Sequence, residues 1–169
     1  MRKFGIAVVG MAALFGLSGD VAHGQGPQFG GVPATPAPKD KAGFYANSDM
    51  KTIWTELEAK QVTTRRILEG GNYSINVRIV PPTAPPLVHH ESLDMWVVQE
   101  GTATAVTGGE LIDGKKRRPE VDDYSGTSIK GGHEQALKPG DVLYVPPGVP
   151  HAFKDQKGFR ALLIRFDTK

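Results

Sequence analysis

The sequence predicts an all-β domain that carries one short N-terminal helix. Three observations predict it. Gly and Pro are abundant, 21 and 13 of 169 residues, and such turn-rich composition disfavours a helical bundle. From Val62 onward the apolar residues come in short β-branched or alternating runs bounded by turn residues, as strands do. One stretch, Met50, Ile53, Trp54 and Leu57, instead repeats at i, i+3, i+4, i+7, one face of an amphipathic helix.

Three segments follow along the chain. Residues 1–24 read as a secretory signal peptide. Arg2 and Lys3 form a positive start, Phe4 to Leu17 is apolar, and Ala22-His23-Gly24 places small residues at the cleavage positions. Cleavage there makes the protein periplasmic or secreted and leaves no stable membrane span, since the apolar run is too short. Residues 25–43 are rich in Gly, Pro and Ala without an apolar period, a disordered or extended leader. Residues 44–169 form the folded domain, whose length allows a modest core.

Within the domain, Ser48 is the expected N-cap of the helix, with Asp49 in its first turn. Thr63–Leu68 and Tyr73–Val80 are two strands around the turn Glu69-Gly70-Gly71-Asn72. In the second, Ser74, Asn76 and Arg78 alternate with Tyr73, Ile75, Val77 and Ile79. The proline-rich connector Pro81–Pro86 is rigid and delivers the chain to His89-His90. Met95–Val98 and Thr102–Val106 are strands. Glu110–Gln135 is long, polar and turn-rich, and Gly126–Gly132 inside it reads either as a short extra strand or as a surface excursion. Val142–Val145 is a buried strand between Pro139-Gly140 and Pro146-Pro147-Gly148, turns that cannot continue a ladder. His151 opens the next strand, with Phe153 on its face, and Phe159–Phe166 closes the domain.

The spacing Gly140, five residues, Pro146, one residue, Gly148, two residues, His151 resembles the second conserved motif of the cupin superfamily. Asp155 stands where cupins usually carry Asn. The first motif is matched in part by His89-His90-Glu91-Ser92-Leu93-Asp94 with Gly101 seven residues beyond Asp94. Asp94 takes the place of the acid. Counting five positions back from it gives His89 as the second motif His, with Leu87 in place of the first. Counting four gives His90, with Val88 in place of the first. The resemblance covers roughly His89 to Phe166 and implies a cupin-type double-stranded β-helix, or jelly-roll barrel, of the single-domain cupin 2 kind.

Carried over residue by residue, the resemblance implies a divalent transition metal held by His89 or His90, Asp94 and His151. Imidazole and carboxylate without thiolate suit Fe, Mn, Ni, Cu or Zn. Adjacent residues of a strand face opposite ways, so His89 and His90 do not both point inward unless the turn rotates one. Glu91 is a reserve oxygen ligand and His133 a loop candidate. Trp96, Val98, Tyr144 and Phe153 are expected at the pocket wall.

Composition removes several functions. The absence of Cys excludes disulfides, thiolate metal sites and a cysteine nucleophile. The only basic run, Lys115-Lys116-Arg117-Arg118, is followed by Glu120, Asp122 and Asp123. It reads as a solvated loop tip with compensated charge, and nucleic-acid binding is not expected. Two functions fit what remains. One is a metal-dependent oxygenase or isomerase acting on a small organic molecule. The other is a non-catalytic barrel that holds a small ligand without metal. Pairing as a homodimer is compatible with either.

Overall fold

The structure is a computed structural model that describes residues 35–169. The signal peptide and most of the leader expected from the sequence lie outside the described residues. The last part of the leader is tied down: Glu69 N–H donates to the Thr35 carbonyl at 2.9 Å, and Ala37 N–H donates to the Glu69 carbonyl at 2.7 Å.

Helix α1 (Asn47–Ala59) buries Met50, Ile53, Trp54 and Leu57, the stripe of helical spacing. It starts one residue before the expected cap. Ala46 occupies the cap position and has no side chain to close it, so the Asp49 carboxylate accepts the Ala46 N–H at 2.9 Å. The buried stripe packs with Ile67 and Val77 on the outer face of the first two strands. Arg160 bridges Glu58 of the helix and Glu100 of the sheet.

Strands β1 (Thr64–Glu69) and β2 (Tyr73–Ile79) form the expected antiparallel hairpin. A bulge between Arg66 and Leu68 lets neighbouring Ile67 and Leu68 both be buried. In β2 the apolar set faces the helix, and Val77 is fully buried there. The polar set Ser74 and Asn76 is therefore turned into the barrel, where both are buried and joined to each other. A polar inward face on a barrel strand prepares a site rather than a dry core.

Short β3 (Leu87–His89) follows the proline connector. Strands β4 (Ser92–Thr107) and β11 (His151–Asp167) then form a long antiparallel ribbon that dominates the fold. The start of β11 pairs with the end of β4, and Ala161–Asp167 pairs with Ser92–Val98. The ribbon bends where Gly101 (φ +70°) meets Gly158 (φ +59°), and a Cβ at Gly101 would lie 2.2 Å from the Gly158 carbonyl oxygen. Only Gly fits that crossing.

The segment 110–135 is more ordered than its composition suggests. β5 (Glu110–Ile112) pairs with β8 (Ser128–Lys130), which settles the extra-strand alternative. β6 (Lys115–Lys116) pairs with β7 (Asp123–Ser125), and β7 pairs with β3. β9 (His133–Leu137) lies along β4, and β10 (Val142–Val145) pairs with the first half of β4. The expectation of a solvated basic tip holds for exposed Lys115 and Lys116 but is corrected for Arg117 and Arg118. Their guanidinium groups turn inward to Asp123, at 3.7 and 3.1 Å.

The core inside the barrel joins Trp96, Val98, Ala105, Val145, Phe153, Phe159 and Leu163. Trp96, Val98 and Phe153 thus lie inside, with the Trp96 and Phe153 rings 4.8 Å apart. Tyr144 does not. It is 55% exposed, while Val145 beside it is buried. Register explains the correction: Val145 lies opposite inward-facing Asp94 and Tyr144 opposite Met95, so Tyr144 is on the outer face. The architecture is an all-β, cupin-type double-stranded β-helix with one short helix. Among the described residues no helix is long and apolar enough to cross a membrane.

Candidate metal centre

Three strands aim one side chain each at a single buried point. His89 comes from the end of β3, Asp94 from β4 and His151 from the first position of β11, and each is about 2–3% exposed. Leu87 and His151 are cross-strand partners. His89, two residues after Leu87, shares that inward face. The turn Pro146-Pro147-Gly148 is fixed to β3 because Gly148, at φ +77°, donates its N–H to the His89 carbonyl at 2.7 Å. That bond locks the two histidine-bearing segments together. The ring centroids of His89 and His151 are 5.3 Å apart.

Asp94 Oδ2 lies 3.8 Å from His89 Nε2 and 3.6 Å from His151 Nε2. One donor atom from each residue falls within 4.8 Å of the others. Metal bonds near 2.1 Å at tetrahedral or octahedral angles need ligand atoms about 3.0–3.4 Å apart. Both His–Asp94 distances lie within a few tenths of an ångström of that range.

Both imidazoles are already in the tautomer that ligation requires. His89 Nδ1–H donates to the Asp123 carboxylate at 2.8 Å, and His151 Nδ1–H donates to the Val149 carbonyl at 3.2 Å. Each ring's lone pair is therefore on Nε2, the nitrogen turned to the centre. His151 Nε2 is buried and has no partner, a costly state for a polar atom unless something occupies its lone pair. Burial holds the His151 imidazole neutral, its pKa pushed down to about 4. The donor set fits a divalent transition metal.

The shell around these donors is cationic. Arg165 donates to Asp94 twice, Nε to Oδ1 at 2.6 Å and Nη2 to Oδ2 at 2.8 Å, and its Nη2 also lies 2.8 Å from His89 Nε2. Burial alone would raise the Asp94 carboxyl. The guanidinium of Arg165 outweighs it, so Asp94 is held below the usual carboxylate range. Asp123 shows the same balance, with burial opposed by bonds from His89 and Arg118, and is strongly depressed. A cavity of about 300 Å³ opens beside the triad, and Arg66, Arg78, Arg117 and Arg165 line it together with Asn76 and His89. Burial and neighbouring Arg165 push Arg78 down to about 10. Its guanidinium lies 5.6 Å above the Trp96 ring, and its buried Nε has no partner.

The structure thus brings together His89, Asp94 and His151 and leaves out three other candidates. His90 faces outward as strand alternation requires, its ring 5.7 Å from Tyr124. Glu91 is engaged by Lys169 at 2.7 Å. His133 is exposed at the start of β9 opposite Thr107. Trp96, Val98 and Phe153 form the apolar floor behind Arg78 rather than the rim of the cavity. Two residues around the centre were not singled out from the sequence. Arg165 shares the phase of Ala161 and Leu163, and that phase is inward. Asp123 stood in an apparently solvated acidic run, and only its pairing opposite His89 reveals it.

A β-helix barrel with two His and one carboxylate at its inner face defines a cupin-superfamily protein. More narrowly, a model of the JmjC domain matches residues 64–164, and the chain belongs to that family. A ribosomal protein uL16 3-hydroxylase from Escherichia coli K12 is 30% identical over 80 residues, covering 43% of this chain and 21% of the relative. The chain therefore matches about a fifth of that relative's length. Among solved structures, a protein with a double-stranded β-helix domain from Klebsiella pneumoniae has a TM-score of 0.44 at 19% identity, covering 63% of this chain and 79% of the other. A cupin 2 conserved barrel domain protein from Salinispora arenicola has a TM-score of 0.40 at 17% identity, with 62% and 74% covered.

Proposed function

We propose that the protein is a metal-dependent oxygenase that acts on a small organic molecule bearing an acidic group. The observation that carries the reading is the convergence of two neutral imidazole lone pairs and one carboxylate on a buried point, with His151 Nε2 left without a partner. Two His and one carboxylate with open positions is a donor set suited to non-haem iron chemistry. The hydroxylase named among the relatives supports the same class. When bound, the metal supplies a Lewis-acid and oxygen-activating centre.

The chain's own residues do the rest. Asp123 and the Val149 carbonyl fix the two imidazoles, and Val145, Pro146 and Val149 wall off the triad from water. Arg78 and Arg117 present guanidinium groups to the cavity, where an acidic group on the substrate meets fixed positive charge. The test is oxygen uptake by protein reconstituted anaerobically with Fe(II) and then given a panel of small organic acids and phenols. Uptake dependent on one class and absent from His151→Ala supports the reading; no uptake with any member of the panel counts against it.

A second reading, a ligand-holding barrel without metal, is favoured by one observation: Arg165 already occupies the His89 lone pair. Metal uptake separates the two. Export remains part of the proposal on the strength of residues 1–24, and sequencing the N-terminus of the mature protein tests it. A start at Gln25 supports cleavage, whereas an intact Met1 opposes it. Homodimer formation is likewise proposed, and light-scattering mass reads it directly.

A further inference from the structure

We propose that Arg165 is an internal competitor for the metal centre, and that metal affinity in this chain is set by withdrawal of its guanidinium from His89. The proposal rests on the metal-binding reading above and assigns a role to a residue which that reading does not use.

A neutral imidazole has one lone pair. His89 Nδ1–H donates to the Asp123 carboxylate, so Nε2 holds the only lone pair, and Arg165 Nη2 donates into it at 2.8 Å. That lone pair cannot serve a metal while the guanidinium is bonded to it. Asp94 differs, because two carboxylate oxygens offer about four acceptor positions and can hold both Arg165 and a cation. One bond, from Nη2 to His89, is therefore the obstacle, and the Nε–Oδ1 bond to Asp94 at 2.6 Å can act as a pivot.

Arg165 cannot clear the site by losing a proton. A guanidinium stays charged in proteins, and two bonds to the Asp94 carboxylate hold this one in place. It has to move. The free space next to it is the arginine-lined cavity, where Arg78 and Arg117 already stand. Withdrawal in that direction brings like charges together in a buried setting, so it is uphill. A site with the right donors is thus held below its intrinsic affinity by a cation of the protein's own.

The experiment is Zn(II) affinity, measured by competition with a chromophoric chelator, for the wild type, Arg165→Gln and Arg165→Met. Hydrogen bonds from a charged donor correspond to roughly a tenfold to hundredfold change in an equilibrium, so both variants are expected to bind Zn(II) tighter by about that factor. A second readout needs no variant. The two Nη2 protons of wild-type Arg165 are engaged by His89 and Asp94. On addition of one equivalent of Zn(II), the nitrogen-15 spectrum should lose the proton signal held by His89 and keep the Nε signal held by Asp94. Equal affinity in all three proteins, or Nη2 signals unchanged in the zinc-bound wild type, overturns the competitor role and leaves the metal reading intact. No Zn(II) binding by any of the three overturns the metal reading and the competitor role with it.

Discussion

Asp123 offers the most direct perturbation of the centre without touching a donor atom. Its carboxylate accepts His89 Nδ1–H at 2.8 Å and Arg118 Nη2–H at 3.1 Å, with its side chain 8% exposed. Truncation to Ala removes two bonds of the charge-assisted kind, each contributing about 1.5–3 kcal/mol when buried. Arg118 is one-fifth exposed and regains water, so its share is discounted and the expected loss is about 2–3 kcal/mol in urea denaturation. The same truncation frees the His89 ring to rotate and to change tautomer. Loss of such an outer partner lowers metal affinity roughly 10- to 100-fold. Asp123→Asn keeps an acceptor of the same size and should fall between wild type and Ala.

The pH dependence has a definite sign. A carboxyl depressed in the fold stabilises it fully above the unfolded pKa near 3.9 and progressively less as pH falls towards the folded value. The stability gap between wild type and Asp123→Ala should therefore be flat above about pH 5 and shrink below about pH 4. The assay is a urea titration at several pH values, paired with chelator competition for metal. A change under about 0.5 kcal/mol together with unchanged affinity would refute the positioning role of Asp123.

Other variants test other parts of the account. His90→Ala should retain metal and His89→Ala should lose it, since only His89 faces the centre; atomic absorption of the two purified proteins reads the contrast. Gly101→Ala should destabilise the fold by at least about 2 kcal/mol, because its Cβ would collide with the Gly158 backbone at a left-handed φ; thermal melting checks it. Leu57→Ala in the helix stripe should cost about 2–5 kcal/mol while metal stoichiometry is unchanged, the helix being on the outer face. Tyr144→Ser should alter stability by under about 0.5 kcal/mol and leave affinity alone, because that side chain points outward.

Much of this architecture is written locally. The helix stripe at Met50, Ile53, Trp54 and Leu57, the hairpin at Glu69–Asn72 and the stiff turn before His151 are each set by residues a few positions apart. Asp155 belongs with them: it adopts φ +56°, a region that Asn and Asp tolerate better than most side chains. The phase of Val142–Val145 was not legible, since four apolar residues in a row carry no alternation and register with Asp94 decides which face is inside. Arg165 and Asp123 were not legible as site residues either. A charge on a strand reads as solvated until the opposing charge is placed against it, and here the partners are 71 and 34 residues away. Of the strands in 110–135 only Gly126–Gly132 was in view, as one of two readings, because runs of two or three residues acquire meaning only through pairing.

The central claim is that His89, Asp94 and His151 hold a transition metal. Elemental analysis of protein purified without chelator, with His151→Ala prepared in parallel, tests it most directly. A transition metal at up to one per chain is expected in the wild type, brought to one by added Fe(II) or Zn(II), and essentially none in the variant. A wild type that is empty and takes up neither Fe(II), Mn(II), Ni(II), Cu(II) nor Zn(II) would contradict it.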